Sequence, residues 1–154
     1  MKIKTILANQ SKTRTPRHRA REFVLQGIYQ WLINNKDISL IDQHVRDGYG
    51  FNKADEKFFE ILLYGIISNL ELLQAEFLPF IDREICQLSP VEHSVLLIGT
   101  FELKNLEEIP YKVIINEAVE LTKSFGGIDG HKYVNGVLDK LANLIRQSEI
   151  SFQH

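Results

Sequence analysis

Arg14, Arg17 and Arg21 recur at intervals of three and four residues, with His18 adjacent and Arg19 one step off the stripe. On a helix this spacing puts the three guanidinium groups on one face. Guanidinium forks match phosphate oxygens and can grip them in pairs, so the chemistry on offer is polyanion binding rather than bond making. Thr15 followed by Pro16 is a helix-start signal, with threonine as N-cap and proline where no donor is needed. The stripe therefore falls in the first turns, where positive charge opposes the helix dipole by a few tenths to about 1 kcal/mol per charge. An arriving phosphate would relieve that conflict and also meet unsatisfied backbone N–H groups. Phosphate contacts position a strand without reading it; reading single-stranded RNA takes stacking surfaces and hydrogen bonds to base edges. Tyr29 and Tyr133 are the candidate rings, the alternative for each being a half-buried tyrosine with a wet hydroxyl.

The charge distribution agrees with an anion-binding end. Residues 1–21 hold seven Lys/Arg (Lys2, Lys4, Lys12, Arg14, Arg17, Arg19, Arg21) and no acid, whereas the remainder holds eleven basic against twenty acidic residues. A segment of +7 on a body of −9 suits a chain that holds a polyanion at one place, although a basic tail can also be merely solvated.

Other chemistries lack their residues. Five histidines (His18, His44, His93, His131, His154) stand without partners at metal-ligand spacing, and the single cysteine, Cys86, forms neither a thiol cluster nor an internal disulfide. The run Phe125-Gly-Gly-Ile-Asp-Gly-His-Lys132 lacks the Gly-Lys-Ser/Thr ending of a phosphate loop. Clustered carboxylates such as Glu107-Glu108 and Glu117 with Glu120 read as solvating charges on helices, not as a catalytic pair. The expectation is a protein that is not an enzyme and uses no cofactor or metal. No apolar run approaches the ~20 residues that cross a bilayer, and the Ile3–Ala8 stretch is too short for a signal peptide. A soluble chain in the cytoplasm is expected.

These groups must be positioned by helices. At 154 residues and 44% hydrophobic content, one domain with a substantial core is expected. Apolar periodicity predicts helices over about 16–34 and 39–46, and a longest one over 55–77. Pro79 redirects the chain into a brief helix over 80–85. Ser89-Pro90-Val91-Glu92 fits a capping box opening a helix through Leu103. Pro110 opens another, which Gly126-Gly127 end, and Asp129 can cap the last. No period-two strand of useful length occurs, so the fold class is all-α. The expected organisation is a flexible basic arm over 1–14, a helical domain over 15–147 and a tail over 148–154.

The segment Ile109-Pro-Tyr-Lys-Val-Ile-Ile-Asn-Glu-Ala-Val-Glu-Leu-Thr-Lys-Ser-Phe-Gly-Gly127, continued by His131-Lys-Tyr-Val-Asn-Gly-Val-Leu-Asp-Lys140, resembles the C-terminal signature of the NusB family of transcription antitermination factors. Arg17-His-Arg-Ala-Arg-Glu-Phe-Val-Leu-Gln-Gly-Ile-Tyr-Gln-Trp31 resembles that family's arginine-rich first helix, and the likeness spans about residues 14–147. It implies a bundle of about seven helices that binds the boxA element of nascent ribosomal RNA together with NusE, a small-subunit ribosomal protein. In that setting the pair helps RNA polymerase, with other Nus factors, to resist termination.

By position, the resemblance implies RNA contacts for Arg17, His18, Arg19 and Arg21, to which the stripe adds Arg14. His18 stands where the family often has arginine. Tyr29, Lys132 and Tyr133 resemble positions near the RNA surface, and Asp129 lies in the loop entering the same helix. Glu92 resembles an acidic position facing NusE, though helix capping explains it equally; Cys86 and Gln87 stand where relatives often carry acid. Asn116-Glu117 and Asn135-Gly136 belong to the signature and are expected to be packing groups.

Two rival readings remain at this level. One is a protein-interaction module whose acidic body binds a basic partner, and the other is the helical domain that precedes the catalytic domain of certain RNA cytosine methyltransferases. Against the second, residues 1–154 show no methyl-donor-binding pattern. The sequence leaves the oligomeric state open, since a domain of this kind could self-associate into a homodimer through the RNA face.

Overall fold

A computed structural model describes residues 14–35 and 37–152, so the predicted arm over 1–14, apart from Arg14, lies outside the described residues. Among the described residues there are eight α-helices and no strand. They are α1 (Pro16–Asn34), α2 (Ile38–Arg46), α3 (Glu56–Ser68), α4 (Leu70–Phe77), α5 (Pro90–Asn105), α6 (Tyr111–Phe125), α7 (Gly130–Ile145) and α8 (Gln147–Phe152). The all-α expectation holds. The count exceeds seven because α8 forms where a tail was expected.

Local chemistry sets most boundaries. Thr15 accepts the His18 N–H at 3.0 Å and Pro16 opens α1, while Asn35, left-handed at φ 50°, donates its N–H to the Trp31 carbonyl and ends it. Asp37 caps α2 through the Ser39 N–H, and Asp55 caps α3 through the Phe58 N–H, each at 3.0 Å. Between them Gly50 sits at φ 85°, a conformation that a side chain would strain.

Helix α5 is the axis of the bundle. Every residue from Ser94 to Leu103 is buried, and α1, α3, α4, α6 and α7 all pack on it. Two glycines permit the close crossings. A Cβ on Gly65 would stand 2.4 Å from the Phe101 ring, and one on Gly99 would stand 2.7 Å from Leu138. Both contacts are shorter than packed atoms tolerate.

Three expectations are corrected. The single helix over 55–77 is two helices, with α3 and the α4 continuation bent 82° apart. Asn69 makes the break: its side-chain amide donates to the Gly65 carbonyl at 2.8 Å, an alternative bond that competes with the helix ladder. The brief helix over 80–85 is instead two 3-10 turns, Leu78–Phe80 and Ile85–Gln87. The reciprocal capping box at Ser89 is half made: Ser89 accepts the Glu92 N–H at 3.1 Å. The Glu92 carboxylate instead lies against Gly130, 3.2 Å from where a Cβ would stand.

Candidate nucleic-acid interface

Arg17 and Arg21 share a face of α1, both guanidinium groups lying over the Phe58 ring, whereas Arg14 precedes the helix and turns to Glu22; much of this charge is directed inward. Arg21 is 3% exposed. Its Nε and Nη2 donate to the two oxygens of Glu102 at 2.9 and 2.6 Å, and Nη1 lies 3.7 Å from Glu117. Burial opposes the charge on Arg21, yet the hydrogen bonds and charge of Glu102 outweigh it and hold the guanidinium above its ordinary pKa. His18 is also buried, its Nδ1 bonded to Glu117. Glu117 is desolvated, but His18's hydrogen bond and Arg21's charge more than offset this and keep its carboxyl below the usual range. Arg21 and His18 therefore hold α1 to α5 and α6, which corrects their expected place on an outward cationic edge.

Arg17 faces outward. Its side chain is 50% exposed, 3.8 Å from Asp55, with its guanidinium 4.6 Å from the Phe58 ring centre. Arg21 lies over the same ring at 4.9 Å. Asp55 supports this end twice more, capping α3 and donating its backbone N–H to the Pro16 carbonyl at 3.0 Å. Arg19 is half-buried; its backbone N–H donates to the Thr15 carbonyl at 3.0 Å, while its side chain makes no hydrogen bond or ion pair with a described residue. Arg14 lies 3.5 Å from Glu22, whose buried second oxygen has no hydrogen-bond partner among the described residues. Burial raises the Glu22 pKa against the pull of Arg14.

The second predicted cluster lies at the start of α7. Asp129 occupies the N-cap position without a side-chain capping bond. It stands 3.8 Å from Lys132, both well exposed. The Tyr133 ring is half-buried and already carries the Arg83 guanidinium at 4.2 Å from its centre. Its hydroxyl is enclosed with no hydrogen-bond partner among the described residues, and burial raises its pKa against the pull of the Arg83 charge. Tyr29, expected beside this surface, is a partly buried ring packed on the core.

Sequence reasoning missed the residues that hold the arginines: Phe58, Glu102 and Asp55, and Glu117 as an ion-pairing group. It also missed Arg146, which is buried and donates to the carbonyls of Glu102, Leu103, Leu106 and Ile109 at 2.8–3.3 Å. The one available signal was an arginine three residues before Glu149, which it also pairs.

The family model described as "NusB family" matches residues 18–143. The chain belongs to the NusB family. It is 52% identical to the transcription antitermination protein NusB of Ralstonia pickettii over 147 residues, 93% of this chain and 95% of the relative. To that of Aromatoleum aromaticum it is 55% identical over 139 residues, covering 90% and 96%. Among solved structures, T. maritima NusB superposes with a TM-score of 0.74 at 30% identity, over 85% of this chain and 93% of that one. A structure described as antitermination factors NusB and NusE in complex with dsRNA shares the fold, with a TM-score of 0.73 at 21% identity over 84% and 97%.

Proposed function

We propose that this chain is a transcription antitermination factor that binds boxA RNA together with NusE, without making or breaking a covalent bond. Membership of the NusB family across residues 18–143 carries this reading. Relatives matched over nine-tenths or more of both chains at more than half identity bear the antitermination name. The elongation complex of RNA polymerase, with the other Nus factors, is where the pair acts.

The RNA surface in this proposal runs from Arg14, Arg17 and Arg19 to Asp129, Lys132 and Tyr133, with Tyr29 behind it. His18 and Arg21 serve as positioning residues, through Glu117 and Glu102. The first turn of α1 contains no acid to neutralise its cations, and Arg83 stacked on Tyr133 offers an outer guanidinium plane on which a base can stack. Glu92 supports NusE docking.

Fluorescence anisotropy with boxA and scrambled RNA, each with and without NusE, tests the reading. BoxA preference that grows with NusE is expected, with affinity falling as salt rises by a logarithmic slope of about 0.7 per phosphate contact. Arg17→Ala with Arg19→Ala weakens binding to every sequence, whereas Tyr133→Ala lowers the boxA preference. Equal binding of both RNAs with NusE present refutes the function; indifference to the arginine pair refutes the surface.

A further inference from the structure

Between α6 and α7 lies an open groove of about 520 Å³, lined by Lys112, Ile115, Asn116, His131, Lys132 and Asn135 among others. Its volume falls in the range of small-ligand sites, and it joins an apolar floor to a few polar groups at the rim. Asn116 and Asn135 project from facing helices, are both exposed, and make no side-chain hydrogen bond with a described residue. That outcome corrects the expected packing role of these two asparagines, because nothing in the fold uses their amides. By contrast Asn69, Asn105 and Asn143 each bond a carbonyl four residues back.

Charge indicates what the groove would take: Lys112, Lys132 and His131 face it against one acid, Asp139, so the rim favours an anion.

We propose that this groove seats one nucleotide of the bound single-stranded RNA, with the Asn116 and Asn135 amides reading the base edge and Lys112 and Lys132 holding the flanking phosphates. The inference rests on the RNA-binding reading above and extends it, since Lys132 belongs to both surfaces. An amide carries a donor and an acceptor side by side and so pairs with a base edge in one register. Ile115 and Val119 supply the apolar floor for the base face.

The test is anisotropy of wild-type protein and the Asn116→Ala/Asn135→Ala variant on boxA RNA, scrambled RNA and a boxA series with one abasic nucleotide at each position, with NusE present. Wild type is expected to lose about tenfold in affinity at one abasic position that the variant no longer senses, while both bind scrambled RNA alike. Circular dichroism checks that the exposed double substitution leaves the fold intact. A variant that keeps the full boxA preference overturns the groove assignment and leaves the function standing. Equal loss on all RNAs overturns base reading, and loss of NusE binding with RNA preference unchanged gives the groove to a protein instead. A wild type that binds no RNA removes the underlying function, and this inference with it.

Discussion

Replacing Arg21 by alanine separates folding from binding. The substitution strips both hydrogen bonds from Glu102, whose side chain is 1% exposed and which keeps a weaker attraction from Arg17 at the surface. Removing one member of a buried ion pair typically costs about 3–5 kcal/mol, because the other is left desolvated and unpaired. The guanidinium's contact with Phe58 goes as well. Against a usual total of about 5–15 kcal/mol, the loss is a large fraction of stability. For a chain of this size it corresponds to roughly 6–20 °C in Tm. Arg17→Ala removes a half-exposed side chain 3.8 Å from Asp55, a surface pair worth about 0–1 kcal/mol. Urea unfolding followed by far-UV circular dichroism compares the two. Arg21→Met with Glu102→Leu, which fills the space without charges, is expected to recover most of the loss and keeps the test decisive should Arg21→Ala not fold. A cost below about 1 kcal/mol for Arg21→Ala, or a double variant as unstable as the single one, would show that the pair is not the clasp described.

Two further outcomes are expected. Arg146→Leu takes the guanidinium from four carbonyls of the α5 end and the following loop, of which Glu102 and Leu106 keep a backbone N–H donor, and should cost about 2–4 kcal/mol; amide exchange over residues 102–109 should accelerate in step with the loss, and unchanged exchange there would argue against the clamp. Glu117, held below its ordinary value by His18 and Arg21 against the opposing pull of burial, stabilises the fold at pH above that ordinary value of 4.5, and the contribution disappears as pH falls through the lowered folded value. The gap in urea midpoint between wild type and Glu117→Gln should therefore be wide at pH 7 and narrow toward pH 3, and a constant gap would refute the linkage.

The bounds of α1 were legible because the cap, the proline and the apolar period all lie within the segment they define. The break at Asn69 was not: its position fits the apolar period of a continuous helix, and only the side-chain bond to Gly65 reveals the competition. The same division runs through the site. Spacing placed Arg17 and Arg21 on one face, though not Arg14, which precedes the helix; whether that face looks outward depends on Glu102 and Glu117, which lie 81 residues from Arg21 and 99 from His18. Charge arrangement at such separation is decided by packing, and sequence periodicity does not report it. Asn116 and Asn135 show the reverse error, since polar residues within an apolar signature look structural until the amides prove to have no partner in the fold.

The elbow at Asn69 also bears on how the molecule acquires its shape. An unbroken rod of more than twenty residues could nucleate early and persist alone, whereas arms of thirteen and eight residues fall at or below the length at which an isolated helix survives in water. Each arm is thus obliged to wait for the central helix, making this half of the bundle an all-or-none unit; a peptide spanning residues 56–77 on its own should remain largely unstructured.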